Sequence, residues 1–125
     1  MTRQQEHLRR ALADVRSVLG SVPESQSRDY GRQCHALPIL VRTNGLCQTL
    51  AFLESKAKTG NGQDLLLTHI AGVVGSPRST LLDTIRDATT ADYQRLTRTI
   101  LEASVYYKRF AVSVLNVDNS SGGES

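Results

Sequence analysis

The sequence predicts an all-α fold, a single-domain bundle of five or six helices packed around a long C-terminal one, spanning residues 1–117. Three observations lead there. Periodic apolar segments longer than about ten residues repeat at spacings of three and four, the period of a helix face. The apolar content comes mainly from Leu, Ile, Val and Ala, with aromatics at 5% and no Trp, which suits helix packing better than a sheet sandwich. Gly and Pro stand at the ends of these segments, as helix stops do. A length of 125 residues fits one domain with one core.

The first helix is expected from about Arg3 to Leu19, with Leu8, Ala11, Leu12, Val15, Val18 and Leu19 as its apolar stripe. Gly20 stands at its C-terminal cap, and Glu6 and Arg10 form an exposed pair four residues apart. A linker, Ser21 to Ser27, contains Pro23. The second helix, about Ser27 to Thr43, carries Tyr30, Cys34, Leu37, Leu40 and Val41. Pro38 lies inside it and predicts a kink between Cys34 and Pro38, because proline lacks the amide donor and crowds the preceding turn. Asn44-Gly45 reads as a left-handed stop.

The third helix follows from Leu46 to about Lys58, with Leu46, Leu50, Leu53 and Ala57 on one face. Gly60-Asn61-Gly62 reads as a flexible turn. A fourth helix, Gln63 to Val74, ends at Gly75 with Pro77 beyond it, and a short fifth spans Thr80 to Ala88. The sixth is the clearest. Thr90 is its expected N-cap, and Tyr93, Leu96, Ile100, Ala103, Tyr107, Phe110, Val114 and Val117 form an unbroken seam. Residues 118–125 are polar and small, and a disordered tail is expected there.

Composition excludes more than it assigns. The net charge of +3, from 15 basic and 12 acidic residues, is too mild to name a partner. Two cysteines, Cys34 and Cys47, are too few for a disulfide scaffold. The chain opens on a polar stretch without a secretory pattern, and its longest apolar run, Ala111 to Val117, is broken by Ser113 and Asn116. No membrane span and a cytoplasmic location are therefore expected.

Catalytic patterns are missing too. His7, His35 and His69 fall on different predicted helices. Cys34 and His35 are adjacent, so on a helix they point about 100° apart and cannot pair as nucleophile and base. Cys34 shares a face with Leu37 and Val41 and reads as a buried thiol. No metal-ligand spacing, phosphate loop or dinucleotide fingerprint appears, so neither cofactor nor metal is expected. Asp83 and Asp87 share a face but fit ordinary surface pairing, as do Glu54 with Lys58 and Asp83 with Arg86.

Basic residues carry more information. Arg95, Arg98 and Arg109 fall within about 60° on the sixth helix, far from the apolar seam, with only Glu102 interrupting them. Lys108 projects on another flank. Arg28, Arg32, Arg42, Lys56 and Lys58 add five positives against Asp29 and Glu54. Such a face can track phosphates but carries no base code of its own; solvated surface charge is the plainer alternative.

Two segments sharpen this reading. The run Leu37-Pro38-Ile39-Leu40-Val41-Arg42-Thr43-Asn44-Gly45-Leu46, continuing through Gln48-Thr49-Leu50-Ala51-Phe52 to Ser55-Lys56, is one. Tyr106-Tyr107-Lys108-Arg109-Phe110-Ala111 is the other. Together they resemble the small-subunit family of the Cmr complex of type III-B CRISPR interference, over roughly Tyr30 to Leu115. The resemblance implies a non-catalytic component of a ribonucleoprotein, several copies of which stack beside the crRNA-bearing backbone subunits and help to hold the crRNA–target RNA duplex. It implies other Cmr subunits, crRNA, target RNA and neighbouring copies as partners, and target cleavage by the backbone subunit. RNA or subunit contact carries over to Arg42, Lys56, Lys108 and Arg109, and Arg98 joins them from the helix stripe. A protein–protein adaptor with a basic face is the alternative reading.

Overall fold

A computed structural model describes residues 1–118, and the expected tail from 119 onward lies outside the described residues. Six α-helices follow in order: α1 (Arg3–Val18), α2 (Glu24–Asn44), α3 (Leu46–Lys56), α4 (Gly62–Val74), α5 (Leu81–Arg86) and α6 (Thr90–Ser113). A single 3-10 turn, Arg78–Thr80, precedes α5, and the described residues contain no strand. The long last helix packs against α1, α2 and α4; α2 also meets α3 and α4, and α3 meets α4 and α5. No helix among the described residues is long and apolar enough to cross a membrane.

Local chemistry sets the helix ends. Thr2 and Gln5 cap α1 reciprocally: the Gln5 amide donates to Thr2 Oγ1 at 3.1 Å, and the Thr2 amide to Gln5 Oε1 at 2.7 Å. Helix α2 begins at Glu24, before the expected Ser27, because Pro23 supplies a fixed φ of −57° ahead of the first turn. It then runs through Pro38 to Asn44. The N-cap of α6 is Thr89 rather than Thr90; its side chain accepts from the Asp92 amide at 3.2 Å. Gly75, at φ +73°, ends α4 in the left-handed conformation that glycine adopts without strain.

The expected seam of α6 holds in its centre. Leu96, Ile100, Ala103 and Tyr107 are buried, but Tyr93, Phe110 and Val114 are only partly so. The helix stops at Ser113, short of the expected Val117. Asn116, at φ +60°, turns the chain, and Val117 returns to bury its side chain after the helix has ended. On α1 the buried positions are His7, Ala11, Val15 and Val18, whereas Leu8 and Leu19 are exposed. Glu6 pairs with Arg9, not Arg10. Gly60-Asn61-Gly62 is tied down rather than flexible: the Gly60 amide donates to Asp64 Oδ2 and Asn61 Nδ2 to the Lys56 carbonyl, each at 3.0 Å.

Four helices share a buried polar cluster. Tyr107 donates its hydroxyl proton to Asp14 Oδ2 at 2.5 Å, linking α6 to α1. The Tyr30 hydroxyl of α2 meets His69 Nδ1 of α4 at 2.7 Å, and the His69 ring stacks near Tyr107. Burial pushes the His69 pKa below its ordinary 6.5, against an opposing pull from Asp14. The folded protein therefore keeps this imidazole neutral, while the unfolded chain binds a proton as pH falls through 6.5. Stability is complete above that pH and declines below it. Thermal unfolding should show a falling midpoint from neutral pH towards about pH 5.5, and the slope should be shallower in His69→Gln. Equal slopes in the two proteins would place the effect elsewhere.

Candidate nucleic-acid interface

Helix α2 and the outward flank of α6 together line an open groove. Arg98, Leu101, Val105, Arg109 and Val112 succeed one another on α6 at spacings of three and four, so they share one flank. Arg42 stands opposite from the last turn of α2, with Pro38 one turn earlier. One part of the groove is lined by Arg42, Tyr93, Arg98, Leu101, Glu102 and Val105, among others. The adjoining part is lined by Pro38, Arg42, Val105, Lys108, Arg109, Val112 and Asp118, among others. The two parts share Arg42 and Val105.

Charge pairing distinguishes these cations from most others in the chain. Arg3, Arg9, Arg28, Arg32, Arg78, Arg86 and Arg95 each hold a carboxylate within 4 Å. Arg78 is the most enclosed of them, bridging Glu54 at 2.7 Å and Asp64 at 3.2 Å, so Glu54 serves Arg78 rather than the expected Lys58. Among the described residues, Arg42, Arg98, Lys108 and Arg109 form no ion pair. Glu102, which interrupts the basic stripe in sequence, is held from α1 by Arg3 at 3.0 Å and lies 3.7 Å from His7. The groove thus keeps four cations outside these ion pairs, and its lining also holds two carboxylates, Glu102, paired with Arg3, and Asp118.

The structure therefore brings together four of the five basic residues singled out by the sequence. Lys108, expected on another flank, lines the same groove as Arg109. Lys56 does not line it. It projects from α3, with Nζ 5.9 Å from the centre of the exposed Phe52 ring. Sequence reasoning missed the apolar floor: Val105 and Val112 are each 44% exposed, and they share the flank of Arg98 and Arg109 rather than the buried seam. That spacing was readable, but attention to the charges alone passes over it.

The remaining reactive side chains are occupied structurally. Cys34 is fully buried, which pushes its thiol up to about 12, partly offset by a hydrogen bond with Tyr30. Such a thiol stays protonated and is a poor nucleophile. His35 donates its Nε2 proton to the Val117 carbonyl at 2.7 Å. Asp83 and Asp87 flank Arg86, with contacts of 3.1 and 2.9 Å. No group of three metal-ligating side chains gathers among the described residues.

Comparison with known proteins gives a consistent result. The sequence model of a CRISPR-associated protein family, Cas_Cmr5, matches residues 3–114. The CRISPR system Cmr subunit Cmr5 of Thermus thermophilus is 35% identical over 115 residues, covering 91% of this chain and 96% of that one. The crystal structure of a CRISPR-associated Cmr5 family protein from Thermus thermophilus superposes with a TM-score of 0.80 at 33% identity, over 91% of this chain and 97% of the other. Matching in sequence almost end to end and in fold, the chain belongs to the Cmr5 family of CRISPR-associated proteins.

Proposed function

We propose that this chain is a non-catalytic small subunit of a type III-B Cmr ribonucleoprotein in the cytoplasm. It stacks with further copies along the complex, beside the crRNA-bearing backbone subunit, and helps to hold the crRNA–target RNA duplex. Family membership and the Cmr subunit named among its relatives support the assembly. The observation that carries the RNA contact is the α2–α6 groove, where Arg42, Arg98, Lys108 and Arg109 present four cations without an ion pair among the described residues. Phosphates complement these cations, and contacts of this kind position a backbone without reading sequence. Weak contacts from each copy add through effective concentration when copies are arrayed on one RNA. Among the described residues Cys34 is buried and protonated, and His35, Asp83 and Asp87 are engaged structurally, which supports assigning cutting to another subunit.

A second reading has its own support. The exposed Val105 and Val112 in the groove floor fit an adaptor that meets an acidic, partly apolar protein surface. Charge reversal in the reconstituted complex separates the two. Arg98→Glu with Arg109→Glu should weaken target RNA retention uniformly across sequences while leaving assembly and crRNA loading intact. Lys56→Glu, off the groove, should have a smaller effect, and an equal one would extend the RNA path across α3. A doubly reversed chain that fails to join the complex favours the adaptor. Unchanged assembly and unchanged retention together would reduce the groove to solvated charge.

A further inference from the structure

Resting on that RNA reading, we infer that the short segment after α6, residues 114–118, limits the affinity of the groove, with Asp118 as a fixed competitor for RNA phosphate. Among the described residues after α6, Val117 is the one that is buried. Val117 is 3% exposed and lies directly on Gly31 of α2, so close that a Cβ at position 31 would come 2.7 Å from Val117 Cβ. Its carbonyl accepts from His35 Nε2 at 2.7 Å, and its amide donates to the Ala111 carbonyl at 2.9 Å. Asn116, at φ +60°, makes the turn that brings it there.

Held from three sides, Val117 fixes where the next residue emerges. Asp118 comes out in the groove lined by Arg42, Lys108 and Arg109. Residue 117 packs on Gly31 and accepts from His35, whereas the negative charge is carried by residue 118. A carboxylate there lowers the local positive potential, over a range of about 10 Å at moderate salt. It does so in that part of the groove where Lys108 and Arg109 stand together.

Two variants reach the carboxylate by different routes. Asp118→Asn removes the charge and leaves the clamp. Gly31→Ala leaves the charge but drives Val117 off α2, since Val117 is the side chain that the new methyl group meets. In the reconstituted Cmr complex, each should strengthen retention of complementary target RNA by about threefold at low salt, and the gain should vanish at high salt. The double variant should gain little beyond either single one, because both act through the same carboxylate. Arg42→Glu with Arg109→Glu serves as the reference. If this reversal weakens retention but Asp118→Asn does not strengthen it, the competitor is refuted and the RNA reading stands. If the reversal has no effect, the RNA reading fails and takes the inference with it. Fully additive gains from Asp118→Asn and Gly31→Ala would refute the coupling between clamp and carboxylate.

Discussion

Gly62→Ala should lower the thermal unfolding midpoint by about 5–15 °C, and Gly31→Ala should lower it by less. Both glycines lie in helices and touch a neighbouring segment, and the difference is what they touch. A Cβ at position 62 would meet the Asp29 carboxylate and, at 2.7 and 2.9 Å, the backbone of Tyr30 and Asp29 in α2. Backbone inside a packed helix cannot step aside, so α4 has to move off α2 at a cost of about 1–3 kcal/mol or more. At position 31 the obstruction is Val117, on a short segment past the last helix. Displacing it costs about 1.5–3 kcal/mol of lost burial, partly offset by the roughly 0.5–1 kcal/mol that alanine gains over glycine within a helix. Circular dichroism melts of the two variants decide this. Equal midpoints would mean that the α2–α4 contact is looser than the structure has it.

Leu67→Ala should be about as damaging, costing roughly 2–5 kcal/mol, because Leu67 is fully buried in the core that α4 shares with its neighbours. Phe110→Ala should cost less. The sequence seam places Phe110 beside Tyr107 as a full core residue, with an expected loss of about 3–5 kcal/mol, but the ring is only half-buried near the end of α6. Lys108→Ala should be close to neutral, since its side chain lies at the groove. Chemical denaturation with a common slope would rank them Leu67, Phe110, Lys108. A larger loss at Phe110 than at Leu67 would contradict the assigned face of α6.

Helical periodicity made most of this fold legible. Tyr30, Cys34, Leu37 and Val41 on α2, and Leu46, Leu50 and Leu53 on α3, recur at spacings that only a helix buries on one side. The misplaced residues have identifiable causes. Val117 continues the periodic pattern of α6 in sequence, yet it reaches the core by a left-handed turn at Asn116, which periodicity does not register. Gly62 looks like a loop glycine, but its role is to let α4 approach the backbone of α2, a contact between residues far apart in sequence. His7 rather than Leu8 is buried on α1 because the face is set by what α6 presents, with Glu102 beside the imidazole.

The candidate site was half legible. Helical spacing alone puts Arg98 and Arg109 on one flank of α6. That Arg42 joins them, that Lys56 does not, and that Glu102 is held from α1 all depend on how helices pack, which a one-dimensional pattern does not specify. The charge state of the groove follows from those ion pairs rather than from the net charge of +3.

The salt dependence of target RNA retention by the reconstituted complex tests the central claim most directly. Each phosphate contact releases condensed counterions, so the slope of log affinity against log salt counts the contacts. Neutralising Arg42, Arg98 and Arg109 to Gln should make that slope shallower by about 0.7–0.9 per residue for each copy engaged, or roughly 2–3 per copy in the triple variant. The loss should be the same for unrelated target sequences, each paired with its own guide. A triple variant that assembles normally and shows the wild-type slope would contradict the account.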